Sequence, residues 1–312
     1  MRRWVLAGLV VVLVAALAWP VGLAVWANGK IQRTDAALTS GAGTPGTTYL
    51  LAGSDARDDD GIPADGTEGT RTDTILLLHV PTSGPTALIS LPRDTYVDIP
   101  GHGPHKLNAA FVLGGAPLLV ATVQQITGLT VDHYVEIGMG GVKNVVDAVG
   151  GVNLCWDAAV DDKDSGMVWT PGCHDVDGTQ ALAFARMRKS DPTGDIGRAL
   201  RQRQLVGAVM AEVDPASLVW NPGRQVALVD TGTSALTVDQ GSNIFDLARL
   251  ALAFRTANGP DGITGTPPIA SIDYRPGRVG SAVLLDPDAS PAFWAAIAAG
   301  TLPPGQVGGL PG

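Results

Sequence analysis

The sequence is short of charge, of aromatic side chains and of cysteine, and each shortage removes a class of protein. Charged residues are 16% and aromatics 5% of the 312 residues, while 45% are hydrophobic. That is too little charge for a coiled coil and too apolar a chain for intrinsic disorder. Cations are outnumbered, 21 Lys and Arg against 30 Asp and Glu. The resulting acidity, with a pI near 4.9, argues against a general nucleic-acid binder. With 2 cysteines no zinc ribbon or multi-bridge scaffold can form, although one bridge can. The 40 glycines keep no three-residue period, which excludes collagen. A Walker loop and a Gly-x-Ser-x-Gly elbow are missing too.

One long hydrophobic run is present, and it sits at the N-terminus. Met1-Arg2-Arg3 precedes an uncharged stretch from Trp4 to Ala27. At a helical rise of about 1.5 Å per residue it reaches roughly 36 Å, enough for a hydrocarbon core of about 30 Å. Positive charge ahead of it places residues 1–3 in the cytoplasm and everything after Lys30 outside. Val25-Trp26-Ala27 has the small-x-small look of a signal-peptide cleavage site. The apolar run exceeds a usual signal core, so an uncleaved single-pass anchor over 4–27 is the preferred reading. Pro20 bends such a helix without forbidding it. Export permits a disulfide, and Cys155 and Cys173 flank a polar, turn-rich stretch, which reads as one structural bridge.

Beyond the anchor, residues 28–46 read as a polar linker and 301–312 as a loose tail. Between them strands and helices interleave. TTYLLAG, DTILLLHV and TALISL read as strands, with a turn at Ser83-Gly84. Lys106 to Gly128 has helical spacing broken near Gly114-Gly115-Ala116-Pro117, which predicts two helices. VDHYVEI is a strand and GGVKNVVDAVG a helix; GTQALAFARMR and GRALRQRQLVGAVMAEV are helices. RQVALVD reads as a strand, SNIFDLARLALAFRT as a helix, IASIDYR and SAVLLD as strands, and SPAFWAAIAAG as a helix. The pattern predicts one α/β (α+β) domain over 47–300, of αβα type, with a mixed central sheet covered by helices.

Polar chemistry concentrates in two places. Arg186, Arg188, Lys189, Arg198, Arg201 and Arg203 crowd one segment of a net acidic chain. Arg198, Arg201 and Gln202 fall at helical spacing near a helix start, where a planar guanidinium fork suits phosphate. A solvated basic face is the plainer reading, but Arg186 and Arg188 end an otherwise apolar helix. The second group lies at strand ends: Ser54-Asp55-Ala56-Arg57, Arg71-Thr72-Asp73 and Pro92-Arg93-Asp94. Ligand sites gather at strand ends in α/β sheets, and carboxylates beside arginines suit metal-assisted phosphate chemistry. Taken singly, these are ordinary turn aspartates and surface pairs. Asp230-Thr231-Gly232 spells an aspartic-protease loop without the second copy that mechanism needs. His102 and His105 lack a third ligand, so they do not make a zinc site.

LLAGSDAR, RTDTILLLHV, ISLPRDTYVDIPG with KLNAAF, HYVEI with VVDAVGGV, DGTQALAFARMR and GDIGRALRQRQ occur in one order between Tyr49 and Val213. In these motifs the chain resembles the LytR–CpsA–Psr family, and its Ala/Gly/Arg-rich style looks actinobacterial. The resemblance implies a phosphotransferase on the outer face of the cell membrane. Such an enzyme attaches a glycopolymer from a polyprenyl-pyrophosphate carrier to peptidoglycan through a phosphodiester. By the resemblance, Asp55 and Asp73 hold Mg²⁺, with Mn²⁺ as its substitute. Arg71, Arg93, Arg186, Arg188, Arg198 and Gln202 hold the pyrophosphate. Arg93, Asp73 and Asp94 are the catalytic candidates, either aspartate being the base. Arg57, Asn108, Asp195 and Arg201 are supporting residues. Phe111–Ile126 either lines a cleft for the lipid tail or is plain core, the latter being the stronger reading. The rival functions are a polyprenyl-pyrophosphate hydrolase using the same donor site, and a non-catalytic carrier-binding or regulatory envelope protein. Membrane and peptidoglycan are the implied partners, and nucleic acid is not.

Overall fold

The computed structural model describes residues 2–38, 43–54, 72–187, 191, 195–212 and 221–310. A nine-stranded mixed sheet forms its centre. The apolar runs read as strands supply its middle: β2 (Thr47–Ser54), β3 (Thr72–Val80) and β4 (Ala87–Leu91). These three are successively antiparallel, and Ser83-Gly84 lies in the turn between β3 and β4. Both faces of this middle are apolar, as sheets covered on two sides require. On one face Leu50, Ile75, Leu77 and Ile89 meet α2 (Leu107–Thr127) and α8 (Ser290–Ala299). On the other, Tyr49, Leu76, Leu78 and Leu88 meet α7 (Ile244–Ala257).

Beyond β2 the sheet continues through β7 (His133–Gly138, parallel to β2) to β12 (Leu236–Asp239) and β1 (Gln32–Thr34). Beyond β4 it continues through β13 (Ile263–Tyr274), which pairs in parallel with β4 and borders both β14 (Ala282–Leu285) and β15 (Gly305–Gly309). A small hairpin of β5 (Tyr96–Ile99) and β6 (Gly103–Lys106) leads into α2. As the Gly-Gly-Ala-Pro break implies, α2 is kinked: Gly114 and Gly115 leave helical geometry. Its length and apolarity would also suit a membrane span, yet Leu119, Val120 and Val123 join the sheet core. Within Phe111–Ile126, Val112 and Leu113 are by contrast exposed.

A satellite lies beside the sheet. It comprises α3 (Met139–Val149), the ribbon β8 (Val152–Trp156) with β11 (Gly172–Val176), the hairpin β9 (Val160–Asp162) with β10 (Met167–Trp169), α4 (Gly178–Arg186) and α5 (Asp195–Glu212). Its own core gathers around Phe184, Trp169, Leu154 and Val146. Cys155 and Cys173 are register partners in the β8–β11 ribbon and form the expected disulfide.

Three expectations change. Residues 28–46 are not simply a linker: α1 (Arg2–Lys30) runs straight into β1, and Ala27, Ile31 and Ala36 are buried. The strip Gln32–Thr34 has almost no apolar character, so its pairing with β12 was invisible in the sequence. Of the segment 301–312, the described part, 301–310, is not a loose tail either, because β15 pairs with β13 and Val307 packs on the core. Gly308 permits this: a Cβ there would lie 1.7 Å from the Thr266 carbonyl oxygen. Finally, RQVALVD is helical, within α6 (Pro222–Ala235). The Asn221 side chain accepts from the Arg224 N–H (3.0 Å) and Pro222 opens the first turn, two start signals stronger than a short alternation. Asp230-Thr231-Gly232 therefore sits on a helix and forms no protease loop.

Candidate active site

Leu91 of β4, Ile75 of β3, Ala52 of β2 and Glu136 of β7 lie in one row across the sheet. The sequence motifs leave the strands just past this row, which defines the site end. At the β2–β3 pair, Gly53 faces Thr74 while Ser54 faces Thr72. Asp73 is thus the extra residue of a β-bulge, a device that redirects a strand at its edge. Asp55, Arg57, Arg71 and Arg188 lie outside the described residues, and of the Asp73 and Asp195 side chains nothing is described.

Pro92-Arg93-Asp94 is held on three sides. The Thr95 N–H and hydroxyl both donate to the Pro92 carbonyl (3.0 and 2.6 Å). Asn108 N–H donates to the Arg93 carbonyl (3.0 Å), which pins the start of α2, and Val283 N–H donates to the Asp94 carbonyl (2.9 Å). The Asp94 carboxylate lies 3.0 Å from Lys106 Nζ and 3.6 Å from Arg93 Nε. Both partners are mostly buried, so the pair fixes the Arg93 guanidinium more firmly than an exposed one would. In the sequence Lys106 stands only as the first residue of the KLNAAF motif. Its role is legible only once the β5–β6 hairpin folds back on the turn.

The arginine-rich segment is built with equal care. Asp177 caps α4 by accepting from the Gln180 N–H (2.8 Å), and Gly178 N–H donates to Asp147 (2.7 Å). A Cβ at Gly178 would lie 2.2 Å from the Lys143 carbonyl oxygen, so only glycine lets α4 approach α3 this closely. Arg186, half-buried, ends α4. Arg201 of α5 is buried against that same end. Its Nε donates to the Phe184 carbonyl (3.2 Å), one terminal nitrogen donates to the Met187 carbonyl, and the other pairs with Asp191. Its guanidinium also stacks 5.0 Å from the Trp156 ring. Arg201 therefore caps α4's last carbonyls as a cation should and positions its neighbours. Arg198 is buried and Gln202 half-buried on the same helix.

Arg203 was overlooked as a site element. It is buried, and its guanidinium donates to the Gly265 carbonyl (3.3 Å). Burial lowers its pKa from the usual arginine value. Gly265 is the register partner of Ile89 on β4, four residues before Arg93. This tie fastens α5, the helix that carries Arg198 and Gln202, to the sheet. No spacing rule in the sequence signals a contact across 62 positions.

Among the described residues no group of three His, Cys, Asp or Glu could hold a metal. The hydroxyls of Ser54 and Thr72, next to the bulge at Asp73, are buried without a hydrogen-bond partner. Hard oxygen donors beside Asp55 and Asp73 fit a divalent cation of the Mg²⁺ class.

An α/β domain with Arg93 and Asp94 just past a strand end and buried arginines on a satellite helix suits anionic, phosphate-bearing ligands. More particularly, residues 27–261 match the LytR_cpsA_psr family model, and the chain belongs to that family. It is 42% identical over 281 residues to a probable cell wall biosynthesis protein, LcpB, of Corynebacterium glutamicum, covering 87% of this chain and 65% of that one. It is 38% identical over 215 residues to the polyisoprenyl-teichoic acid–peptidoglycan teichoic acid transferase TagU of Enterococcus faecalis, covering 68% and 67%. Among solved structures it superposes on a chain described as a transcriptional regulator from Enterococcus faecalis (TM-score 0.64, 26% identical, 82% and 88% covered). It also superposes on the LytR-Csp2A-Psr enzyme from Actinomyces oris (TM-score 0.66, 21% identical, 86% and 96% covered), a likeness of fold. The chain spans less than two thirds of the length of the two corynebacterial relatives, 65% and 55%.

Proposed function

We propose that this chain is a cell-wall glycopolymer phosphotransferase, anchored by α1 with its catalytic domain outside the cell. An acceptor hydroxyl of peptidoglycan attacks the phosphorus that bears the glycan. The bond from that phosphorus to the bridging oxygen breaks, a phosphodiester forms, and polyprenyl phosphate leaves. The observation that supports this reading is the buried tie of Arg203 on α5 to the Gly265 carbonyl of β13, the strand beside β4, which ties the helix carrying Arg198 and Gln202 to the sheet that carries Arg93. Phosphoryl transfer asks a protein chiefly for positioning and for cations that absorb developing charge. Arg71, Arg93, Arg186, Arg188, Arg198 and Gln202 hold the pyrophosphate, with Arg57, Asn108, Asp195 and Arg201 supporting them. Asp94, committed to Arg93 and Lys106, suits a positioning role, which leaves Asp73 the better base. Asp55 and Asp73 would hold Mg²⁺, or Mn²⁺ in its place, which when bound neutralises pyrophosphate charge. The names of the relatives, a teichoic acid transferase among them, support a glycopolymer donor and a peptidoglycan acceptor.

The test uses purified protein with a short-chain prenyl-pyrophosphate glycan and peptidoglycan, with and without Mg²⁺. Sugar-phosphate joined to peptidoglycan is expected, lower by about 10²–10³-fold in Arg93→Ala and in Arg188→Ala. Free glycan phosphate with no conjugate would instead identify a hydrolase.

A further inference from the structure

The anchor helix does not simply end at the membrane surface. Its outer part lies along α6: the Trp19 indole N–H donates to Gln225 Oε1 (2.6 Å), and Lys30 pairs with Asp230. Between the helices runs a groove of about 460 Å³ lined by Ala18, Trp19, Gly22, Leu23, Trp26 and Val226, all apolar. Trp19 and Val226 are substantially exposed there, and Val21 and Val25 are exposed elsewhere on the anchor.

Depth follows from helix geometry. A hydrocarbon core of about 30 Å takes about 20 helical residues. Entered just after Arg2-Arg3, it is left near Leu23. Trp19 is then about 6 Å inside and Lys30 about 10 Å outside, at headgroup depth. Trp4 and Trp26 fall near the two boundaries, where tryptophan collects. Whatever touches Trp19 is at its depth. Gln225 is the polar partner that an indole N–H needs away from water.

We propose that the first turns of α6 lie in the outer leaflet beside the anchor, and that the α1–α6 groove is filled by an acyl chain of outer-leaflet phospholipid. The domain then rests on the bilayer through two helices, with its orientation fixed. Gln32, where the anchor enters the sheet, pairs with Thr237 and through it with Glu136, in the same row as Leu91. That is the end of the sheet past which Arg93 lies, so this end of the sheet faces the membrane. This inference rests on the reading of α1 as an anchor.

The test places the full-length, disulfide-intact protein in phosphatidylcholine/phosphatidylglycerol vesicles containing chain-brominated lipid. A bimane label is attached at Val226→Cys, at Val21→Cys on the anchor, or at Ser83→Cys at the opposite end of the sheet. The Val226 label should lose at least half as much intensity to the brominated chains as the Val21 label, while the Ser83 label loses none. A Val226 label quenched by aqueous iodide, with Val21 still quenched by lipid, overturns the docking and leaves the anchor standing. A Val21 label untouched by lipid removes the anchor and the docking together.

Discussion

The sheet and its satellite are held together by different means. The sheet carries hydrophobic layers on both faces, so its specificity is spread over many apolar contacts. The satellite has strands of three to five residues, paired two by two, and one compact core. Short strands and a small core supply little cooperative stability. There the structure depends on particular polar and covalent ties: Arg201 with Asp191, the Cys155–Cys173 bridge, and the capping by Asp177 and Asp147. Arg186 and Arg198 ride on these satellite helices, whereas Arg93 rides on the sheet. The candidate site therefore spans a robust half and a half whose geometry hangs on a few groups.

Breaking the strongest of these ties should separate the halves. Arg201→Met removes the buried guanidinium that pairs with Asp191 and binds the Phe184 and Met187 carbonyls. Removing one partner of such a pair costs about 3–5 kcal/mol. Urea denaturation should show a loss of that size, and hydrogen exchange should show it in α4 and α5 while β2, β3 and β4 keep their protection. Uniform loss across both halves would mean the satellite is not a separable unit. The double variant Arg201→Met/Asp191→Leu should recover part of the loss, because both members of the pair are then replaced by apolar side chains.

The disulfide should matter less. It closes a separation of 18 residues, for which loop entropy gives about 3 kcal/mol. The β8–β11 ladder and the Asn153–Asp175 side-chain bond (2.7 Å) persist without it. Reduction, or Cys155→Ser with Cys173→Ser, should lower the thermal midpoint and loosen the satellite while the sheet holds. A midpoint unmoved by reduction would assign the stapling to Arg201 alone.

The same contrast explains what the sequence disclosed. Strands such as Thr72–Val80 were legible because a run of Ile and Leu can satisfy both sheet faces and little else. The edge strands Gln32–Thr34 and Gly305–Gly309 were not, since neither has an apolar pattern and each forms by docking on a sheet already present. Val226-Ala227-Leu228-Val229 alternates too briefly to outweigh the Asn221-Pro222 start of a helix. At the site, Arg93, Arg198 and Gln202 were found through local motifs. Lys106 and Arg203 were missed as site elements because their value lies in partners reached only through the tertiary fold.

The smallest expected effect belongs to the sheet, at Asp239 in β12. Burial alone would raise the pKa of this carboxyl. It is outweighed by the neighbouring His133 imidazole, whose Nδ1 lies 3.8 Å away, and by hydrogen bonds from the Ser242 hydroxyl and from the Tyr134 (3.2 Å) and Gly241 (2.8 Å) N–H groups, and the pKa is held down at about 2. In the unfolded chain it returns to about 3.9. A depressed acid contributes stability that is complete above the unfolded value and lost as pH falls through the folded one. Stability of the wild type should therefore decline between about pH 4 and pH 2 with a component that Asp239→Asn lacks. Because β12 carries β1, and with it the end of the anchor helix, the acid-labile amides should lie along Gln32–Thr34 and leave the satellite untouched. Acid loosening that begins instead in the satellite would reverse the ranking of the two halves.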